Sequence, residues 1–342
     1  MYTRCLFQRL TACSGILNNA LLILLIIYKS PKNLGSYKYL MMYISIFEMS
    51  YSFLDILSVP EIYSTGSVFF IIIDSNSAPL LPTWSIQTAN VIFCSLFGVS
   101  LIIFAFHFVY RYFVITGNPC IQDNPLLKVF GLIGFTIFVG FLWSLLVFWL
   151  FSPTAESDKF FKENFLDPRQ LDQTEVNYMG AYFQPVDEYG NQFINWDPVV
   201  GIVLMTSVIF VSFSTVFYFG YKVYHKINHM IVKSSIPTRN LQSQLFWALV
   251  FQTLIPVLLM HFPVSVAFLC SLFDTSTEIL GDIPTVTIFM YPALDPLPNF
   301  FIIKNYRDAI LEFLGCQNRP IGSTVPSVNS KNVHVKTITS SV

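Results

Sequence analysis

Most of this chain consists of runs of mostly apolar residues, each about as long as a membrane-spanning helix. A helix crosses the hydrocarbon core with about 20 apolar residues. Seven segments qualify, at about 10–28, 39–60, 85–110, 126–151, 198–221, 243–273 and 279–303. The pattern predicts an all-α membrane protein built as a bundle of seven transmembrane helices.

The composition supports the bilayer as the solvent. Hydrophobic residues make up 54% of the 342-residue chain and charged residues only 11%, against about 25% charged in soluble proteins. A water-soluble domain of this size has too little interior to bury that much apolar surface. We therefore expect an integral membrane protein in direct contact with membrane lipid.

The charges in the connections predict the orientation of the bundle. Most Lys and Arg residues fall in the 1–2, 3–4 and 5–6 connections and in the C-terminal tail, whereas most acidic residues fall in the other connections. Basic connections stay in the cytoplasm. The N-terminus is therefore expected outside and the C-terminus inside.

The bundle is expected to form one domain over residues 1–315. The Ser- and Thr-rich tail that follows, 316–342, is expected to be disordered. Residues 304–315 are amphipathic and predict a helix lying in the membrane interface. Cys316 at its end is a candidate for palmitoylation. The long acidic 4–5 connection, about 152–197, fits either a lid over a pocket or a solvated loop.

Three blocks of sequence carry a family resemblance. They are HFVYRYF at 107–113, LQSQLFWALVFQTLIPVLLMHFPV at 241–264 and YPALDPLPNFFIIKNYRDAI at 291–310. Together they resemble the nematode Str-type serpentine chemoreceptors, a divergent branch of the seven-transmembrane G-protein-coupled receptors. The resemblance implies a receptor in the plasma membrane, in the cilium of a chemosensory neuron, with an odorant-like small-molecule ligand and a heterotrimeric G protein as partners.

The resemblance also implies a set of coupling and switch residues. Arg111 resembles the arginine that faces the G protein from the third helix, but Tyr110 stands where an acidic neighbour is usual, so another group must restrain Arg111. Asp295 and Pro296 stand where the wider superfamily has an Asn-Pro pair. Pro256 matches the proline about which the sixth helix bends. In the basic 5–6 connection, Lys226 and Lys233 are expected to contact the G protein.

A polar cluster is expected inside the bundle. Asn19, Glu48 and Asp295 lie at comparable depth in three different spans, and polar groups in a membrane turn toward one another. Two adjacent buried acids are expected to share a proton or to bind a cation. Polar contacts that merely hold the helices together remain an alternative.

The ligand pocket is expected in the outer halves of the helices, where helical spacing places aromatic side chains and a few polar groups on inward faces. Such a wall suits a small, largely apolar ligand. The candidate residues are Phe93, Cys94, Phe97, Thr206, Ser207, His261, Phe262, Ser265 and Thr285. The 4–5 connection contains no cysteine, so the disulfide that ties this loop to the third helix in many rhodopsin-like receptors cannot form.

Other functions fit the sequence less well. It contains no HExxH, GxSxG or phosphate-binding loop, so we expect no enzymatic activity, cofactor, metal site or nucleic-acid partner. The seventh span contains no lysine to hold retinal. A ligand-gated cation channel or a transporter of the odorant-receptor type is the alternative, but such a channel would place its N-terminus inside. Whether the chain pairs with a second receptor is left open.

Overall fold

The computed structural model describes residues 2–31, 34–118, 124–187, 189–229 and 236–315. Within these ranges the apolar runs form long helices. The first five are α1 (Tyr2–Lys29), α2 (Tyr37–Ser58), α3 (Ile86–Thr116), α4 (Pro125–Leu150) and α5 (Trp196–His229). The helix α3 continues to Thr116, beyond the predicted end of the third span, and Gly117 terminates it in the left-handed conformation that glycine adopts without strain.

The last two spans are interrupted helices. The sixth, α6, consists of Ile236–Pro256, a π-helical turn at Val257–His261 and Phe262–Leu272. The seventh, α7, consists of Glu278–Leu294 and Leu297–Ile302, separated at Asp295 and Pro296. A further helix, α8 (Lys304–Phe313), is turned by 97° from α7. Among the described residues, six helices are long and apolar enough to cross a membrane, and there are seven if the bent pair of α7 and α8 counts as one span.

The helices pack around α3, which is the most buried span. The helix α1 packs against α2 and α7, whereas α3 packs against α2, α4 and α5. The outward faces of α4 and α5 are covered with exposed apolar side chains, among them Phe130, Phe141, Phe210 and Phe217. This arrangement suits a lipid surround and confirms the predicted seven-helix bundle.

A three-stranded antiparallel sheet closes one end of the bundle, here called the sheet end. Its strands are β1 (Glu61–Thr65), β2 (Val68–Asp74) and β3 (Val176–Tyr182), in the order β1-β2-β3. The first two form a hairpin, and β3 comes from the 4–5 connection. These strands are not predicted from the sequence. Apolar residues of VFFIIID, residues 68–74, are buried on both faces of β2, so the segment lacks the alternation of a half-exposed strand.

The 4–5 connection is packed rather than loose. Its short helix Ala155–Phe161 begins with a capping box between Thr154 and Ser157. Phe161 stacks on Phe165 and on Tyr178 of β3, with ring centroids 4.9 and 4.2 Å apart. The described part of the connection therefore shares an apolar core with β1 and β2 and covers the cavity described below, as in the first of the two alternatives that its sequence left open.

Candidate functional site

Arg111 is held inside the bundle at the end opposite the sheet, here called the Arg111 end. Only 2% of the residue is exposed. Its Nη2 atom donates hydrogen bonds to the backbone oxygen and to the Oε1 atom of Gln242 on α6, at 2.9 and 3.0 Å. Gln242 is thus the hydrogen-bond acceptor of Arg111, which has no acidic neighbour at position 110.

Two tyrosines complete the surroundings of Arg111. The guanidinium lies over the ring of Tyr37 on α2, 5.1 Å from its centroid, a cation–π contact. Tyr110 is also buried and stacks on Tyr37 with centroids 6.2 Å apart. Arg111 therefore joins α2, α3 and α6 and is not a lipid-facing anchor.

The predicted polar cluster forms in the middle of the bundle. Asn19, Glu48 and Asp295 are each fully buried, and Glu48 lies within interaction range of the other two. Asn19 donates a hydrogen bond to the carbonyl of Pro292 at 3.0 Å. The cluster therefore connects α1, α2 and α7 next to the interruption of α7.

Gln252 extends this cluster to α6. Its Nε2 atom donates to Oδ2 of Asp295 at 2.9 Å, and both residues are buried. Gln252 lies one turn before Pro256, after which α6 continues as the π-helical turn. The hydrogen bond therefore joins the two interrupted helices beside their interruptions.

His261 ends the π-helical turn and is 2% exposed. Its Nε2 atom lies 3.1 Å from the hydroxyl of Ser100 on α3. Its ring contacts Phe97, with centroids 4.8 Å apart. His261 therefore couples α6 to α3 through one hydrogen bond and one ring contact.

A cavity of about 190 Å³ lies on the sheet side of this contact. Four helices, α3 to α6, form most of its wall, the strands close it from the sheet end, and Ile288 of α7 contributes at one side. Five of the predicted pocket residues line it, namely Phe93, Cys94, Phe97, Thr206 and Ser265. The rest of the lining is apolar apart from the backbone of Gly180 and the indole N–H of Trp143, so the described wall carries no charged side chain.

Four of the predicted pocket residues do not line this cavity. Ser207 and Phe262 are exposed on the outside of the bundle, because α5 and α6 each present only one face inward. Thr285 does not line the cavity, since its hydroxyl binds the backbone of Ile62 on β1. His261 lies behind Phe97 and is not part of the wall.

Several residues of the site were not predicted from the sequence. Gln242 and Gln252 lay within the quoted block 241–264, where a polar amide inside an apolar span is the signal that could have identified them. Asp55, 1% exposed, lies seven residues after Glu48 and so on the same face of α2. Lys226 is exposed near the end of α5. Lys233 and Cys316 lie outside the described residues.

Comparison with known proteins shows which family this arrangement belongs to. The family model described as "Serpentine type 7TM GPCR chemoreceptor Str" matches residues 4–311. The G-protein coupled receptor str-217 of Caenorhabditis elegans is 33% identical over 313 residues, covering 90% of this chain and 88% of the relative. Serpentine receptor class r-10 of the same organism is 32% identical over 293 residues, covering 83% of each.

The fold has a solved counterpart. The crystal structure of squid rhodopsin superposes with a TM-score of 0.65, covering 93% of this chain and 88% of that chain at 14% identity. At this identity the likeness shows the fold alone. The chain adopts the seven-transmembrane fold of rhodopsin and belongs to the Str family of serpentine G-protein-coupled chemoreceptors.

Proposed function

We propose that the chain is a chemosensory receptor that binds a small, largely apolar molecule in the cavity beneath the sheet and activates a heterotrimeric G protein at the Arg111 end. One relationship carries this proposal. The cavity and the Arg111–Gln242 contact lie toward opposite ends of the same two helices, α3 and α6. Arg111 follows Phe97 by 14 residues, about 21 Å along a helix.

The wall of the cavity favours a neutral ligand of low polarity. Its polar side-chain groups are the thiol of Cys94, the indole N–H of Trp143 and the hydroxyls of Thr206 and Ser265. A charged ligand would lose its hydration without gaining an opposite charge, and that loss is costly. A small molecule with at most one or two hydrogen-bonding groups fits this wall best.

The contacts below the cavity offer a route for the signal. A ligand that displaces Phe97 also moves the ring against which His261 packs, and His261 ends the π-helical turn of α6. Movement of α6 would then strain the bonds of Gln252 to Asp295 and of Gln242 to Arg111. Ligand binding therefore favours a second arrangement of the bundle in which Arg111 is released.

The orientation belongs to the same proposal. With the basic connections in the cytoplasm, the sheet end faces the outside and the Arg111 end faces the G protein. Lys226, exposed near the end of α5, and Lys233 would then contact the G protein together with Arg111. The expected location is the plasma membrane of a sensory cilium.

Functional expression tests the proposal. Cells expressing the chain, with calcium or cyclic-nucleotide reporters, are screened against a panel of small volatile and apolar compounds. We expect at least one agonist whose effect disappears when G-protein activation is blocked. A current that persists under that block would instead indicate an ion channel.

Epitope tags at the two ends separate the same alternatives. In intact cells, an antibody should reach a tag at the N-terminus and not one at the C-terminus. The opposite pattern would contradict the receptor orientation and favour an inverted channel.

A further inference from the structure

The cavity has an opening on the lipid-facing side of the bundle. Three of its lining residues are exposed, Thr206 on α5 and Ser265 and Leu269 on α6. All other lining residues are buried or half-buried. The exposed part of the wall therefore lies between α5 and α6, and we call it the α5–α6 opening.

The opening lies at the depth of the hydrocarbon core. Thr206 is ten residues into α5, about 15 Å from the first residue, and Ser265 is seven residues, about 10 Å, before the end of α6. Phe210 and Phe262, which lie near these positions in sequence, are 70% and 63% exposed. The surface around the opening is thus apolar and faces lipid.

The sheet obstructs the route from water. Ile62, Phe69 and Met179 line the cavity from the sheet and are each at most 4% exposed. Phe69 of β2 stacks on Phe268 of α6 with ring centroids 3.9 Å apart. A solute arriving from the sheet end would have to separate these packed side chains.

The two hydroxyls of the cavity wall both lie at the opening. Within the described residues, neither the Thr206 nor the Ser265 hydroxyl has a hydrogen-bond partner. The neighbouring hydroxyl of Ser207, by contrast, is paired within the helix, because it donates a hydrogen bond to the carbonyl of Val203 at 2.7 Å. An unpaired hydroxyl in an apolar surround gains from any acceptor that comes within reach.

We propose that the ligand reaches the cavity from the bilayer through the α5–α6 opening, and that Thr206 and Ser265 hydrogen-bond its polar group there. The proposal rests on the proposed function for the nature of the ligand. A largely apolar molecule concentrates in the bilayer before it meets the receptor. Molecules that partition into lipid are thereby selected over polar ones of similar size.

Access to the cavity can be measured without knowing the ligand, because Trp143 lines it and is only 3% exposed. The full chain is prepared with Trp143 as its single tryptophan, the others being replaced by Phe, and is reconstituted in phosphatidylcholine nanodiscs. The positions replaced are Trp84, Trp149, Trp196 and Trp247. Collisional quenching of the Trp143 fluorescence is measured with bromohexane, which dissolves in the bilayer, and with iodide, which stays in water.

We expect bromohexane to quench Trp143 and iodide to have little effect. In that background Thr206→Phe and Leu269→Phe should each lower the bromohexane quenching constant several-fold, because they narrow the opening from its two sides. The matched control is Ser207→Phe, the same substitution one position along α5 on the lipid face, which should leave quenching unchanged. Circular dichroism melting curves check that each variant is folded.

Stronger quenching by iodide than by bromohexane would overturn the proposal, and this comparison needs no variant at the opening. Equal bromohexane quenching in the Thr206→Phe, Leu269→Phe and Ser207→Phe variants would overturn it as well. The assay reports access and not signalling. If the chain signals but gives either of these quenching results, only the proposed entry route through the α5–α6 opening is refuted. If the chain never responds to an agonist, only the proposed function is refuted.

Discussion

The Nη2 atom of Arg111 donates hydrogen bonds to both the backbone oxygen and the Oε1 atom of Gln242, so one guanidinium joins α3 to α6 at two points. The backbone acceptor is present whatever side chain stands at position 242. Substitution at that position therefore removes one of the two bonds and weakens the contact without abolishing it. This contact is the structural feature on which the proposed switch depends.

Replacing Gln242 by Ala should raise signalling in the absence of ligand. A hydrogen bond to a charged group contributes about 1.5–3 kcal/mol, so its loss shifts the balance between the two arrangements by roughly tenfold or more. Ligand-independent nucleotide exchange on the G protein measures this shift. Ser243→Ala, at the neighbouring half-buried position, is the control and should leave exchange at the wild-type level.

Replacing Gln242 by Glu should have the opposite effect. The substitution keeps the acceptor and adds a negative charge to it, and a charge-assisted bond is stronger than a neutral one. Basal exchange should fall below the wild-type level, and more agonist should be needed for half-maximal response. A basal level above wild type would show that the contact does not restrain the receptor.

Glu48→Gln should leave the stability of the receptor nearly unchanged. If Glu48 and Asp295 share a proton, Glu48 is the neutral partner, because the hydrogen bond that Gln252 donates to Asp295 favours the charged form of Asp295. An amide of similar shape can then replace Glu48. The melting temperature should therefore be within a few degrees of wild type and equal in sodium and choline buffers. A large stabilisation of the wild-type chain by sodium, lost in the variant, would indicate a bound cation instead.

Filling the cavity should abolish the response to agonists. Met205→Trp adds volume to a lining position, and overpacking a cavity of about 190 Å³ leaves too little room for a ligand. The control is Leu204→Trp, at the next position on α5, which is 43% exposed and faces away from the cavity. Both variants should reach the cell surface, and only the first should fail in the reporter assay.

Gly180→Ala should loosen the lid. A methyl group at Gly180 would overlap the backbone of Phe69 on the paired strand, so β2 and β3 would have to separate at a cost of about 1–3 kcal/mol. The melting temperature should fall by several degrees. Gly131→Ala on α4, where an added methyl meets no atom within 4 Å, should show no such loss.

The sequence predicts the helices better than the sheet, for physical reasons. A spanning helix satisfies its own backbone groups, so a run of apolar residues is enough to define it. The pairing of Phe70 with Gly180 joins segments more than 100 residues apart, and no local pattern reports such a pair. The 60–85 and 152–197 connections therefore gave no sign that they form one sheet.

The candidate site, like the fold, could be predicted from the sequence only in part. Arg111, Asn19, Glu48 and Asp295 could be placed by depth and by resemblance, because polar groups in a membrane are few. The acceptor that holds Arg111 could not be predicted from the sequence, since its identity depends on how α6 is rotated against α3. Ser207 and Phe262 show the limit of helical spacing, which narrows the choice of inward positions but errs by one or two residues where the rotation of the helix is unknown.

Arg111→Ala is the decisive test of whether Arg111 couples the receptor to its G protein. Cells expressing wild type, Arg111→Ala and the control Lys38→Ala, which removes another positive charge at the same end of the bundle, are compared at equal surface expression. We expect agonist-evoked G-protein activation to disappear in Arg111→Ala and to persist in Lys38→Ala. Wild-type activation by the Arg111→Ala receptor would contradict it.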